Sequence, residues 1–121
     1  MYTAPRGTQD RIGQSLDALR FIEKQARQIF QKYNYSEIST PIIEEEKLFL
    51  RSLGKTTEVV KKQMLTIKKQ GETLVLRPEA TAGVIRAYLE NAIDKTSEFT
   101  KLFYIGTMYR GERPQKGRLR E

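Results

Sequence analysis

A chain of 121 residues has room for one hydrophobic core and no more than one domain. It contains neither Cys nor His, which excludes disulfides, a thiolate metal site, a cysteine nucleophile and an imidazole base. No apolar run approaches the length of a membrane-spanning helix, and Met1–Arg6 lacks the apolar stretch of a secretion signal, so the cytoplasm is the expected compartment.

The net charge of +7 is unevenly spread: residues 101–121 hold six basic groups against two acidic ones. Such a segment is either a solvated basic tail or a loop facing an anion or a nucleic acid. From the amino end, Thr3–Asp10 is rich in turn formers and reads as an irregular lead-in. Leu16, Leu19, Ile22, Ala26, Ile29, Phe30 and Tyr33 then recur three or four residues apart, predicting an amphipathic helix with Ser15 as its N-cap. Asn34 ends it, and an extended run around Ile38 is stopped by Pro41. Glu44–Arg51 suits a short helix closing before Gly54. Met64–Lys68 and Thr73–Arg77 read as strands of a hairpin turning at Lys69–Glu72. Pro78 breaks the second strand, and a helix follows with Val84, Ile85, Tyr88, Leu89 and Ala92 as its packed stripe. After a polar connector, Leu102–Tyr109 is nearly all apolar or aromatic, as in a strand covered on both faces. This order lacks regular strand–helix alternation, so the expected class is α+β, a mixed or antiparallel sheet flanked by helices. The last strand and its basic loop have no return partner before Glu121, which reads as an incomplete domain.

Four segments carry a resemblance: Pro5–Asp10 (PRGTQD), Tyr35–Ile42 (YSEISTPI), Leu76–Gly83 (LRPEATAG) and Tyr104–Arg118 (YIGTMYRGERPQKGR). In their order and spacing they resemble the histidyl-tRNA synthetases, a class II family, over essentially the whole chain. The resemblance implies the amino-terminal part of a catalytic domain with an antiparallel sheet flanked by helices. The helix from Leu16 and the strand to Pro41 correspond to the first family motif, implying a homodimer through the Leu16–Pro41 region. The strand from Leu102 and the loop beyond it correspond to the first strand and most of the loop of the second motif. There are departures: Arg11-Ile12 stands where the family has Leu-Pro, Lys61-Lys62-Gln63-Met64-Leu65 lacks two acids, and Ala80 replaces a Gly.

The same resemblance assigns roles. Activation joins a carboxylate to the α-phosphorus of ATP, and an Arg fork can hold two of the phosphoryl oxygens on which charge builds. Arg110 is the implied catalytic grip on the α-phosphate. Met108 is implied beneath adenine, Glu112 beside ATP or the tRNA end, and Arg118 on the distal phosphates. Arg113, Lys116 and Arg120 are candidate tRNA contacts. Glu79, with Thr81 beside it, is implied to bind the α-ammonium of histidine. Without the resemblance, Arg110 reads as a strand-end Arg pairing with Glu112. Glu79 likewise reads as a helix-start acid stabilised by the helix dipole, Arg77 as a support for the turn, and Tyr104 as core. Substrates and partners are therefore histidine, ATP with Mg2+, and tRNA; no protein metal site and no membrane contact are expected. The isolated chain is expected to be inactive as a ligase. Two other readings stand: the regulatory paralogue of ATP phosphoribosyltransferase, and a nucleic-acid-binding fragment without an active site. Retention of Arg110, Glu112, Arg113 and Arg118 favours the ligase.

Overall fold

The structure, a computed structural model, describes residues 1–53 and 61–111. Helix α1 spans Gln14–Lys32 and leads to a two-residue strand, β1 (Ser36–Glu37). Strand β2 (Ile43–Glu45) runs directly into helix α2 (Glu46–Leu53). Strands β3 (Thr66–Lys69) and β4 (Glu72–Leu76) form a hairpin, followed by helix α3 (Thr81–Glu90), a 3-10 turn at Ile93–Lys95 and strand β5 (Leu102–Phe103). Among the described residues no helix is long and apolar enough to cross a membrane.

Two small sheets make up the α+β architecture. One is antiparallel in the order β2-β4-β3; the other is the parallel pair β1-β5. The β3–β4 hairpin forms as the sequence predicts. Gln70 and Gly71 both take positive φ, 49° and 81°, as a two-residue turn matched to strand twist requires. The pairing Ile43↔Leu76, Glu44↔Val75 and Glu45↔Leu74 puts Glu44 and Val75 on the helix-covered face of the sheet. That face meets Phe49 of α2 and Ala82 of α3, with Met64 completing the buried cluster. Phe49 and Val75 have no exposed surface, and each contributes about 1.5–3 kcal/mol by leaving water.

Several sequence expectations are corrected. Glu44 and Glu45 lie in a strand, not at the start of a helix, because Ile43–Glu45 pairs with β4 and tertiary pairing overrides helix propensity. Ser15 does not cap α1: the helix begins two residues earlier than expected, after Gly13, and the Ser15 hydroxyl donates to Ile12 O at 3.0 Å. In α3 the deeply packed residues are Ala82, Gly83 and Ala87. Ile85 and Leu89 of the expected stripe are 53% and 61% exposed, since only small side chains fit against the sheet. Finally, Leu102–Tyr109 is not a fully covered strand. Ladder pairing stops at Phe103, and Tyr104 is 42% exposed rather than core.

Helix α1 contains no fully buried residue. It is held by the Phe30 ring stacked on Phe103, with centroids 4.6 Å apart, and by the Arg27–Glu37 ion pair. Ile22, Ile29 and Tyr33, at 63%, 55% and 66% exposure, leave an apolar stripe on α1.

Candidate functional site

The site is assembled from the turn at the end of β4 and the extended segment after β5. The turn is set by sequence: Pro78 cannot donate to a ladder, so the strand stops and the chain enters α3. Just before it, the Arg77 N–H donates to Ile42 O at 2.8 Å, the last link to β2. Just after it, the Glu79 carboxylate folds back on the helix start. It accepts from Thr81 N–H at 2.5 Å and from Ala82 N–H at 3.1 Å. Two amide donors at the positive end of a helix fix the direction of the carboxylate. The structural role expected of a helix-start acid is therefore present, and the half-buried carboxylate sits where a cation can also reach it.

Residues 104–110 lie along this turn and touch it at successive points. The Tyr104 hydroxyl is 3.5 Å from Thr81 Oγ1. The Arg77 side chain donates through Nε to Thr107 O at 3.0 Å, and Tyr109 N–H donates to Arg77 O at 2.9 Å. Arg110 donates through Nε to Pro78 O at 3.1 Å. Further on, Gly111 N–H reaches Gln63 O at 2.5 Å, tying the segment to the approach of the hairpin. These contacts, rather than a long strand ladder, register the segment.

The structure thus brings Arg110 to the turn that carries Glu79, one residue after its acceptor. Cavities, however, divide the candidates. Glu79 and Thr81 line a groove of about 880 Å³ between α2 and α3, walled by Leu48, Ile85 and Leu89. Met108 and Arg110 line a hollow of about 550 Å³ opposite Leu19, Ile22 and Ala26 of α1. Arg110 also borders a hollow of about 720 Å³ formed with Tyr2–Asp10. Glu112, Arg113, Lys116, Arg118 and Arg120 lie outside the described residues. Among the described residues no three acidic groups converge as a metal site.

One pair was not legible in the sequence. Glu44, 8% exposed, accepts a forked contact from Arg86: Nη2 to Oε1 at 2.7 Å and Nε to Oε2 at 3.0 Å. Arg86 also reaches Glu90 at 2.5 Å. The hydrogen bonds from Glu44, against some loss through burial, hold the Arg86 guanidinium above its ordinary pKa. The pair locks β2 to α3 beside the groove.

The relationships of the chain agree with this geometry. The histidyl-tRNA synthetase family profile matches residues 7–121. The histidine–tRNA ligase of Bacillus cytotoxicus is 51% identical over 119 residues, 97% of this chain and 28% of that protein. That of Dictyoglomus turgidum is 51% identical over 118 residues, covering 97% and 29%. Among solved structures, the apo histidyl-tRNA synthetase of Staphylococcus aureus superposes with a TM-score of 0.77 at 38% identity, covering 91% of this chain and 30% of that one. An ATP phosphoribosyltransferase regulatory subunit/histidyl-tRNA synthetase from Bacillus halodurans gives 0.79 at 24% identity over 98% and 30%, a likeness of fold alone. The chain therefore spans less than a third of the relatives it matches. With a capped carboxylate at the start of α3, an arginine brought to the same turn, and a family profile over nearly all its length, the chain belongs to the histidyl-tRNA synthetase family.

Proposed function

We propose that this chain forms the first part of the catalytic domain of a homodimeric histidine–tRNA ligase that works in the cytoplasm. The whole protein activates histidine with ATP and passes the histidyl group to tRNA. The observation that supports the reading is the bond from Arg110 to Pro78 O, which ties the Arg110 segment to the turn that carries the Glu79 carboxylate.

In this reading the Glu79 carboxylate, already aimed by two backbone amides, accepts from the α-ammonium of histidine, with the Thr81 hydroxyl beside it. The substrate carboxylate then attacks the α-phosphorus of ATP and pyrophosphate leaves, so no protein nucleophile takes part. Arg110 commits Nε to Pro78 O, and among the described residues no partner occupies its terminal nitrogens. Those nitrogens stabilise charge growing on the α-phosphate oxygens. Magnesium would accompany ATP and neutralise charge on its phosphates. Met108 supplies a polarisable surface for adenine. Glu112 and Arg118 complete the ATP contacts, and Arg113, Lys116 and Arg120 meet tRNA phosphates. The exposed stripe of Ile22, Ile29 and Tyr33 on α1 supports the homodimer.

The test uses a full-length ligase carrying this chain, for instance the Bacillus cytotoxicus enzyme with its aligned residues exchanged. Histidine-dependent exchange of pyrophosphate into ATP, followed by charging of histidine tRNA, is expected. A folded dimer that shows neither reaction would overturn the reading.

A further inference from the structure

Arg77 is 9% exposed, yet its bonds among the described residues go to neutral oxygens: Thr107 O at 3.0 Å, Thr40 O at 3.2 Å and Thr40 Oγ1 at 3.4 Å. Burying a guanidinium without a carboxylate partner costs more than burying an apolar side chain of the same size. In return it bridges the loop after β1 and the segment that leads to Arg110. Gly106 closes the arrangement. A Cβ there would run into the Arg77 guanidinium, so the segment passes directly over it.

We infer that Arg77 is a positioning residue for amino-acid activation, holding Gly106–Thr107 against Thr40 so that Arg110 meets the α-phosphate. The inference rests on the assignment of Arg110 to that phosphate. Among the described residues the side chain of Arg77 hydrogen-bonds to neither Glu79 nor the amides of Thr81 and Ala82 that aim it. Its effect is therefore confined to the phosphate side of the reaction. The backbone bond from Tyr109 to Arg77 O survives any substitution at residue 77, so the segment keeps its course and loses only its precise placement. A misplacement of about 1 Å in a reacting site costs roughly 100-fold in rate.

The experiment is pyrophosphate exchange by the full-length ligase carrying Arg77→Met, Arg110→Ala or both. Arg77→Met is expected to lower kcat roughly 10- to 100-fold, with the KM for histidine held within about twofold. The double variant is expected to be no slower than Arg110→Ala, because a residue acting through Arg110 has nothing left to position. Arg77→Lys, which keeps the charge and loses the fork, should recover only part of the rate. Should Arg77→Met fail to fold, Gly106→Ala presses on the same guanidinium from the other side and should give the same kcat loss and the same cycle. Multiplicative losses in the double variant, or a histidine KM rising as kcat falls, would overturn the inference while leaving Arg110 its role. An Arg110→Ala enzyme of undiminished rate would instead overturn the reading of the site, and the inference with it.

Discussion

Glu79 combines an observed capping contact with the proposed ammonium contact, and substitution can separate the two. Glu79→Gln keeps oxygen for the amides of Thr81 and Ala82 but removes the charge that an ammonium needs, so it should raise the histidine KM with kcat nearly kept. Glu79→Ala should add a stability loss of about 1 kcal/mol, the usual cost of an emptied cap, visible as a lower thermal midpoint. Arg110→Ala should do the reverse of Glu79→Gln. Its contact strengthens as charge develops, so kcat for adenylate formation should fall by about 2–4 kcal/mol, roughly 30- to 1000-fold, in pyrophosphate exchange. The Glu44–Arg86 pair makes a different prediction. Arg86→Met strands a carboxylate that is 8% exposed and should destabilise the fold by about 3 kcal/mol, read from denaturant unfolding. Replacing both partners with apolar residues should restore much of that loss. Glu79 was legible as a helix-start acid because Pro78 marks the break before α3, whereas the site roles of Glu79 and Arg110 came from the family resemblance. Arg86 and Glu44 were not legible, since a buried ion pair depends on two residues 42 positions apart.

At the scale of elements, the sequence was readable where local rules decide the outcome. The β3–β4 hairpin follows from its turn, and α1 from its period. It failed where neighbours decide. Strand β2 exists only through β4, and residues 104–110 are placed by Arg77 and Pro78 rather than by a ladder. The packed face of α3 was misread because the eye follows large apolar residues, whereas close approach to the sheet selects Ala82, Gly83 and Ala87. The stripe on α1 yields a prediction of its own. Ile29→Glu places a charge on the proposed dimer face twice over, because a two-fold contact repeats each residue. Losing even half the value of two buried Ile side chains amounts to about 1.5–3 kcal/mol, or roughly 10- to 100-fold in the dimer dissociation constant. Sedimentation at micromolar concentration should report the shift towards monomer, and an unchanged dimer would place the interface elsewhere.

The whole molecule spans 28% of its Bacillus cytotoxicus relative, and the cavities that hold its candidate residues are open. The 121-residue polypeptide alone should therefore give no histidine-dependent pyrophosphate exchange above background, since loosely held reactants forfeit most of the advantage of proximity. Exchange approaching that of a complete ligase would contradict this. The parallel pair β1-β5 carries a further consequence, one of time. Its strands meet in the register Ser36↔Leu102 and Glu37↔Phe103, with 64 residues between them. At about 5–20 residues per second, translation needs roughly 3–13 s to supply β5 after β1 has been made. Throughout that interval Phe30 waits for Phe103, and α1 has only local contacts such as the Arg27–Glu37 ion pair. Newborn chains therefore pass through a stage in which the hairpin layer can close while the first helix stays undocked and adhesive. The segment that carries Arg110 comes to rest only when that stage ends.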